Sequence, residues 1–465
     1  MANRINNPKL ATAVAAVVGL GLSATANAVV VVGGDNGWEV SFDGNINAFY
    51  VFSNNDAGWN NLGLGAPDPT VPGNNRRGFA ENTREDISRV NSGFIPAFFS
   101  FNVKSPTWNG MTTTGRFSFA PAINNSTSKN QFYGTPLAAV GAGNVLGGNG
   151  LQGSNIDMRE VVVNVESGWG TVSFGRTLSL FGRQAVLNDM TLFGVGVANQ
   201  DSAGVAAGRS GRGYLYPNFN ARFSYKTPML MGFQAELGLY DPSHEELNRG
   251  AGLFGGGGSE VLNQTDKPRL EGELTYTATI GDATFKGWFD GLWQEIKTSG
   301  QNTFTQESVD VHGWGVGGTA GMMGFNLTGY YYDGEGLGRS LQFMGGTACA
   351  GIVNNTLECE AASNNGYYVQ GTYTFFGKTK LGVSYGESNQ DAFKKNVVLS
   401  GATRNQDVSL SMWTVGVYHD INSWLKLIAE YSNAKNDFSR NAADPTTYSG
   451  KTESNTFSVG TYFVW

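Results

Sequence analysis

From Gly37 onward the chain alternates apolar and polar positions in sixteen short segments, at about 38–52, 93–104, 111–120, 156–166, 169–176, 219–227, 232–241, 268–280, 283–296, 309–320, 324–333, 366–376, 379–388, 408–420, 424–434 and 455–465. A period of two places successive side chains on opposite faces of an extended strand. In the first segment Val40, Phe42, Ile46, Ala48 and Tyr50 point one way and Ser41, Asp43, Asn45 and Asn47 the other. The last sets Phe457, Val459, Thr461, Phe463 and Trp465 against Thr456, Ser458 and Gly460. The same split recurs at Phe233, Ala235, Leu237 and Leu239, at Leu270, Leu274 and Tyr276, at Phe285, Phe289 and Trp293, and at Leu425, Leu427, Ala429 and Tyr431. The joins alternate in length. Seven are turn-like, among them Ser167-Gly168, Gly281-Asp282, Met323-Gly324 and Gly377-Lys378, and eight are long and polar.

A soluble sandwich would alternate too, so the surroundings of the apolar face decide. Trp38, Tyr50, Trp169, Tyr240, Trp293, Tyr331, Tyr431 and Trp465 stand near segment ends, where the aromatic girdles of a membrane barrel lie. Lipid offers an open sheet edge no hydrogen-bond partner, so the first strand should close on the last. The expected fold is all-β: a 16-stranded antiparallel transmembrane β-barrel, with short turns at one end, long loops at the other, and a third loop folded into the pore.

Composition agrees. Glycine makes up 66 of 465 residues and charged residues only 15%, below the roughly 25% of an average soluble domain. Residues 1–28 read as a signal peptide: Arg4 and Lys9, an apolar run from Leu10 to Ala24, then Ala26-Asn27-Ala28. Residues 29–465 then form a single barrel domain. Removing the leader takes two basic and no acidic residues from a chain of net charge −7, leaving −9. That acidity argues against nucleic acid as a partner. The two cysteines, Cys349 and Cys359, share one polar loop. In an oxidising compartment a local disulfide is the natural reading, and two free thiols without a role the alternative.

The stretch Ile156–Pro228 organises the rest. Two strands joined by a tight turn are followed by some forty irregular residues from Thr177 and then by Asn220-Ala221-Arg222-Phe223-Ser224-Tyr225-Lys226-Thr227-Pro228. So long a connection is unusual in a compact soluble domain, but inside a barrel lumen it has room. With Phe174-Gly175-Arg176 before the loop, Gly232-Phe233 after it, the order of strands and loops, and an aromatic last residue, the chain resembles the Gram-negative porins, most of all the trimeric general-diffusion type.

That resemblance implies a third loop whose acidic residues oppose a basic cluster on the wall. Carried over by position, Arg116, Arg176 and Arg222 would be the wall arginines, with those flanking the loop facing water. Asp189 and Asp201, the carboxylates between Thr177 and Asn218, would be their partners. The acidic turn found in many porin third loops is replaced here by TLSLFGRQAVLNDMTLFGVG, a more apolar segment. Arg209 and Arg212 lie at the loop exit.

Other matches carry no function. Gly382-Val383-Ser384-Tyr385-Gly386 and Gly313-Trp314-Gly315-Val316-Gly317-Gly318 imitate the nucleophile-elbow and dinucleotide patterns, but both lie within strands with no helix following. His244, His312 and His419 lack metal-site spacing. Gly255–Gly258 reads as linker, and Arg76 and Arg77 as solvated loop residues within reach of lipopolysaccharide. The expectation is therefore an outer-membrane porin of a Gram-negative bacterium, a homotrimer in lipid and lipopolysaccharide that passes small hydrophilic solutes and ions without catalysis, metal or cofactor. The alternatives are a substrate-selective channel, an outer-membrane hydrolase and a non-conducting surface protein.

Overall fold

The computed structural model describes residues 29–33, 36–56, 84–121, 123, 156–197, 206–242, 266–297, 308–343, 345–353, 356–394, 406–439 and 450–465. Residues 1–28, Arg76, Arg77, Asp201, His244 and Gly255–Gly258 lie outside them.

Sixteen strands make the barrel: β1 Glu39–Asp56, β2 Phe98–Lys104, β3 Thr112–Pro121, β4 Ile156–Ser167, β5 Gly170–Leu178, β6 Phe219–Lys226, β7 Phe233–Tyr240, β8 Arg269–Ile280, β9 Ala283–Lys297, β10 Ser308–Met322, β11 Phe325–Glu335, β12 Ser363–Phe375, β13 Thr379–Gln390, β14 Val408–Asp420, β15 Leu425–Phe438 and β16 Gly450–Val464. Each pairs antiparallel with its neighbours in sequence, and β1 closes on β16 with Ile46 opposite Phe463 and Phe52 opposite Phe457. Closure leaves no open edge, as a hydrocarbon surround demands.

The two faces separate as the alternation predicts. Ile46, Tyr50, Leu237, Phe289, Leu427 and Phe463 are exposed on the outer wall, whereas Asp43, Asn45, Asn47, Glu236, Thr414 and Ser458 are buried on the inner one. Two expectations need correction. Tyr240 is not a girdle residue: its ring is buried inside, 4.8 Å beneath the Arg269 guanidinium, and its hydroxyl accepts from Arg222 at 2.8 Å. The parity of β7, with Leu237 and Leu239 outward, leaves position 240 no other side.

The second correction concerns the segment expected as one strand over 93–104. Its ladder begins earlier, with Arg84–Asn91 along the upper part of β1, and resumes at Phe98. Between them Ser92–Ala97 leaves the wall and is buried. Two inward asparagines of β1 replace the lost ladder bonds. Asn47 accepts from the Gly93 N–H at 2.7 Å and donates to the Ile95 carbonyl at 2.9 Å, and Asn45 donates to the Pro96 carbonyl at 3.2 Å. Phe94 and Ile95 are thereby carried into the lumen.

Outside the barrel, Thr347–Val353 and Thr356–Ala361 form a hairpin with Cys349 directly opposite Cys359, and Cys359 is disulfide-bonded.

Candidate functional site

The segment after β5, over residues 179–197 and 206–218, packs inside the barrel, and wall side chains hold it along that length. At its start the Glu271 carboxylate on β8 accepts the Leu180 and Phe181 N–H groups at 2.7 and 3.0 Å. A single turn of helix, Arg183–Leu187, follows. It opens at Gly182, whose φ of 78° suits a residue without a Cβ. Tyr368 on β12 donates to the Ala185 carbonyl at 2.8 Å. Gln370 accepts the Met190 N–H at 2.8 Å and donates to the Asn188 carbonyl at 2.7 Å. Asp189 starts a short 3-10 turn, Met190–Phe193, by accepting the Thr191 N–H at 3.1 Å. Further on, Glu430 on β15 accepts the N–H groups of Val195 and Gly196 at 2.8 and 2.9 Å. The Phe94 N–H of the inward kink reaches the Gly194 carbonyl at 2.7 Å.

Charge organises the contact. In register, Glu236 on β7, Glu273 on β8 and Asp290 on β9 form a lateral row on the inner wall. Like charges so placed repel, and Arg183 enters between two of them. Its guanidinium lies 2.8 Å from Glu236 and 2.7 Å from Glu273. Burial by itself would lower the Arg183 pKa, but these two carboxylates hold it well above the ordinary value. Arg209 packs 3.6 Å from Asp189 and donates to the Met412 carbonyl at 3.0 Å, and Arg212 donates to Asn436 at 2.6 Å. Tyr214 donates to Asp189 at 2.9 Å. Burial first, and that carboxylate second, push its hydroxyl well above the usual tyrosine range.

Among the described residues the loop-to-wall ion pairing runs opposite to the one the resemblance implies: the cation, Arg183, is on the loop and its carboxylates, Glu236 and Glu273, are on the wall. Arg209 pairs instead with the loop's own Asp189, and Arg212 with the Asn436 amide. Its sequence signal was present: inward parity places carboxylates at positions 271 and 273, and Glu236 faces Glu273, a row that needs a cation from elsewhere.

The anticipated residues fare differently. Arg116 is on the inner wall, bridging Asp43 at 2.8 Å and Glu160 at 2.8 Å, with Asn102 as a further acceptor at 2.9 Å. Arg222 is also inside, 3.0 Å from Glu236. Arg176 is not brought to them. Ser173 and Thr177 take the inner face of β5, so Arg176 falls on the outer face with Phe174 and is exposed. Asp189 serves the loop's own fold, bound to Thr191, Tyr214 and Arg209.

A narrow cavity remains between loop and kink, with a solvent-accessible volume of about 60 Å³. Phe94, Ile95, Leu178, Leu192, Tyr216 and Phe219 line it, and Arg116 and Glu160 stand at its polar side.

A closed barrel with an apolar exterior, a polar interior and a strand-to-strand segment lodged in its lumen defines an outer-membrane channel protein. The family model of the Gram-negative porins matches residues 11–439, and the chain belongs to that family. The fold is similar to the outer membrane channel DcaP of Acinetobacter baumannii, with TM-score 0.57 and 12% identity over 94% of this chain and 100% of that one. It is also similar to an anion-selective porin from Comamonas acidovorans, with TM-score 0.51 and 13% identity over 92% and 100%. No curated protein sequence matches the chain.

Proposed function

We propose that the protein is a passive porin for small hydrophilic solutes and ions, narrowed by residues 179–197 and 206–218 of the segment after β5 and assembled as a homotrimer in the outer membrane. The observation that carries the reading is the seating of that segment: Glu271, Gln370 and Glu430, from strands spread around the wall, all bind its backbone. A segment fixed this way limits the diameter of the passage, and the charges beside it set which hydrated solutes pass. Arg116 and Arg222 supply fixed cationic groups at the narrowing. Because Asp43, Glu160 and Glu236 lie against them, the selectivity between anions and cations is weak. Purified protein in planar bilayers should show ohmic single-channel steps in groups of three. Absence of conductance overturns the porin reading, and single independent steps overturn the trimer.

One observation favours a second reading, a substrate-selective channel. The apolar lining of the cavity at Phe94, Ile95, Leu178 and Leu192 suits solutes with an apolar flank, since binding sites commonly combine apolar walls with a few polar groups. Block of conductance by benzyl alcohol and not by glycerol would support it.

A further inference from the structure

Six of the seven short turns of the barrel present an exposed apolar side chain, Trp108, Trp169, Met231, Met323, Phe376 and Trp424, and the seventh, Gly281-Asp282, follows the exposed Ile280 that ends β8. Three of them are also in the wrong backbone conformation for their residue type. The hairpins closed by Trp108–Met111, Leu230–Phe233 and Met322–Phe325 each turn through two residues of positive φ. Such turns favour Asn-Gly, because asparagine and glycine tolerate that region. The first is Asn109-Gly110, with φ 48° and 74°. The other two are Met231-Gly232, at 49° and 88°, and Met323-Gly324, at 50° and 87°. Phe376-Gly377 repeats the substitution at 50° and 68°. Bulky side chains rarely take a positive φ, and these three are also 96%, 71% and 98% exposed. Neither local geometry nor packing within the chain accounts for them.

We infer that the turns form an apolar collar that dips into the interfacial layer of the inner, phospholipid leaflet and sets the depth at which the barrel sits. This rests on the reading of the chain as a membrane barrel. Two observations choose lipid over a protein partner. The collar is continuous with the outer wall: Phe233 follows Gly232 and packs on Tyr276 at 4.5 Å, and Phe325 follows Gly324 and packs on Tyr373 at 4.2 Å. It also recurs at six of the seven turns around the circumference, whereas a docked protein would meet one sector. Aromatic and long apolar side chains at that level anchor proteins vertically.

The test places a nitroxide label at M231C, M323C and F376C in the full chain, refolded in phosphatidylethanolamine–phosphatidylglycerol vesicles. Collisions with oxygen, which partitions into lipid, are compared with collisions with a water-soluble nickel chelate. Oxygen should dominate at all three positions. Dominance of the nickel chelate at any two overturns the collar, as it would if the turns awaited a periplasmic protein. Heat-modifiable migration and conductance of the labelled protein report separately whether the barrel reading holds. A second measurement uses the unaltered chain with a phospholipid carrying a photoreactive group near its glycerol. Adducts at 229–231, 322–323 and 375–376 support the proposal, and adducts confined to the upper strands overturn it.

Discussion

The Glu430 carboxylate accepts the backbone N–H of Val195 at 2.8 Å across 235 residues of sequence, and the same oxygen takes the Gly196 N–H. Its other oxygen accepts from the Tyr418 hydroxyl at 2.6 Å. A side chain of the penultimate strand thus holds the far limb of the lumenal segment. Glu430→Ala leaves two N–H groups in a buried site without their acceptor, at about 1–3 kcal/mol each. The barrel should persist while single-channel recordings show larger, noisier openings. An unaltered conductance trace would show that the limb is held elsewhere.

Arg183 lies between Glu236 and Glu273. Removing one partner from a buried ion cluster destabilises by about 3–5 kcal/mol, because the remaining charge is stranded. Arg183→Ala should therefore lower the thermal transition, followed by heat-modifiable electrophoretic mobility, and move the reversal potential toward cations. Adding Glu273→Gln should recover part of both. No recovery in the double variant would separate the arginine from that carboxylate.

Arg116 and Arg176 make a matched pair of tests. Arg116→Ala uncovers Asp43 and Glu160 on the inner wall and should shift selectivity in a salt gradient toward cations. Arg176→Ala, on the outer face, should leave the reversal potential where it was. The opposite result would place Arg176 in the conducting path.

Tyr214 provides a pH dependence. Its pKa in the folded protein is raised above that of a free tyrosine, about 10. A group shifted upward on folding contributes stability in full below the unfolded pKa, and that contribution declines as pH rises through the folded one. Seating of the segment should thus weaken above about pH 10, seen as growing conductance noise. In Tyr214→Phe nothing titrates at this position, so that increment should vanish, although the lost bond to Asp189 raises the noise at every pH.

Strand positions and faces could be read from the chain because period-two alternation reports directly which side meets lipid. The same parity counted through β5 places Arg176 outward; the family analogy was what drew it toward the pore. The kink at Ser92–Ala97 was hidden because Gly93, Phe94 and Ile95 continue an apolar run whether they stay in the wall or leave it. The signal lay instead on the neighbouring strand, in Asn45 and Asn47, whose amides satisfy the diverted backbone. The cationic loop was hidden for a related reason. Arg183 acquires its meaning from Glu236 and Glu273, 53 and 90 residues away, and Arg209 and Arg212 reach Met412 and Asn436, 203 and 224 residues away. A linear pattern does not rank such distant pairings.

The placement of Glu430 and Asn436 on β15 also dictates an order of events. The far limb of the lumenal segment, which β13 and β14 grip through Ser388 and Met412, lacks its last holders, those of Gly196 and Arg212, until the penultimate strand is in the sheet. β15 in turn is flanked only when β16, which also closes on β1, pairs with it. A chain assembling toward its C-terminus therefore passes through a stage with most of its wall built and the far limb only partly held, and the narrowing is completed together with the seam.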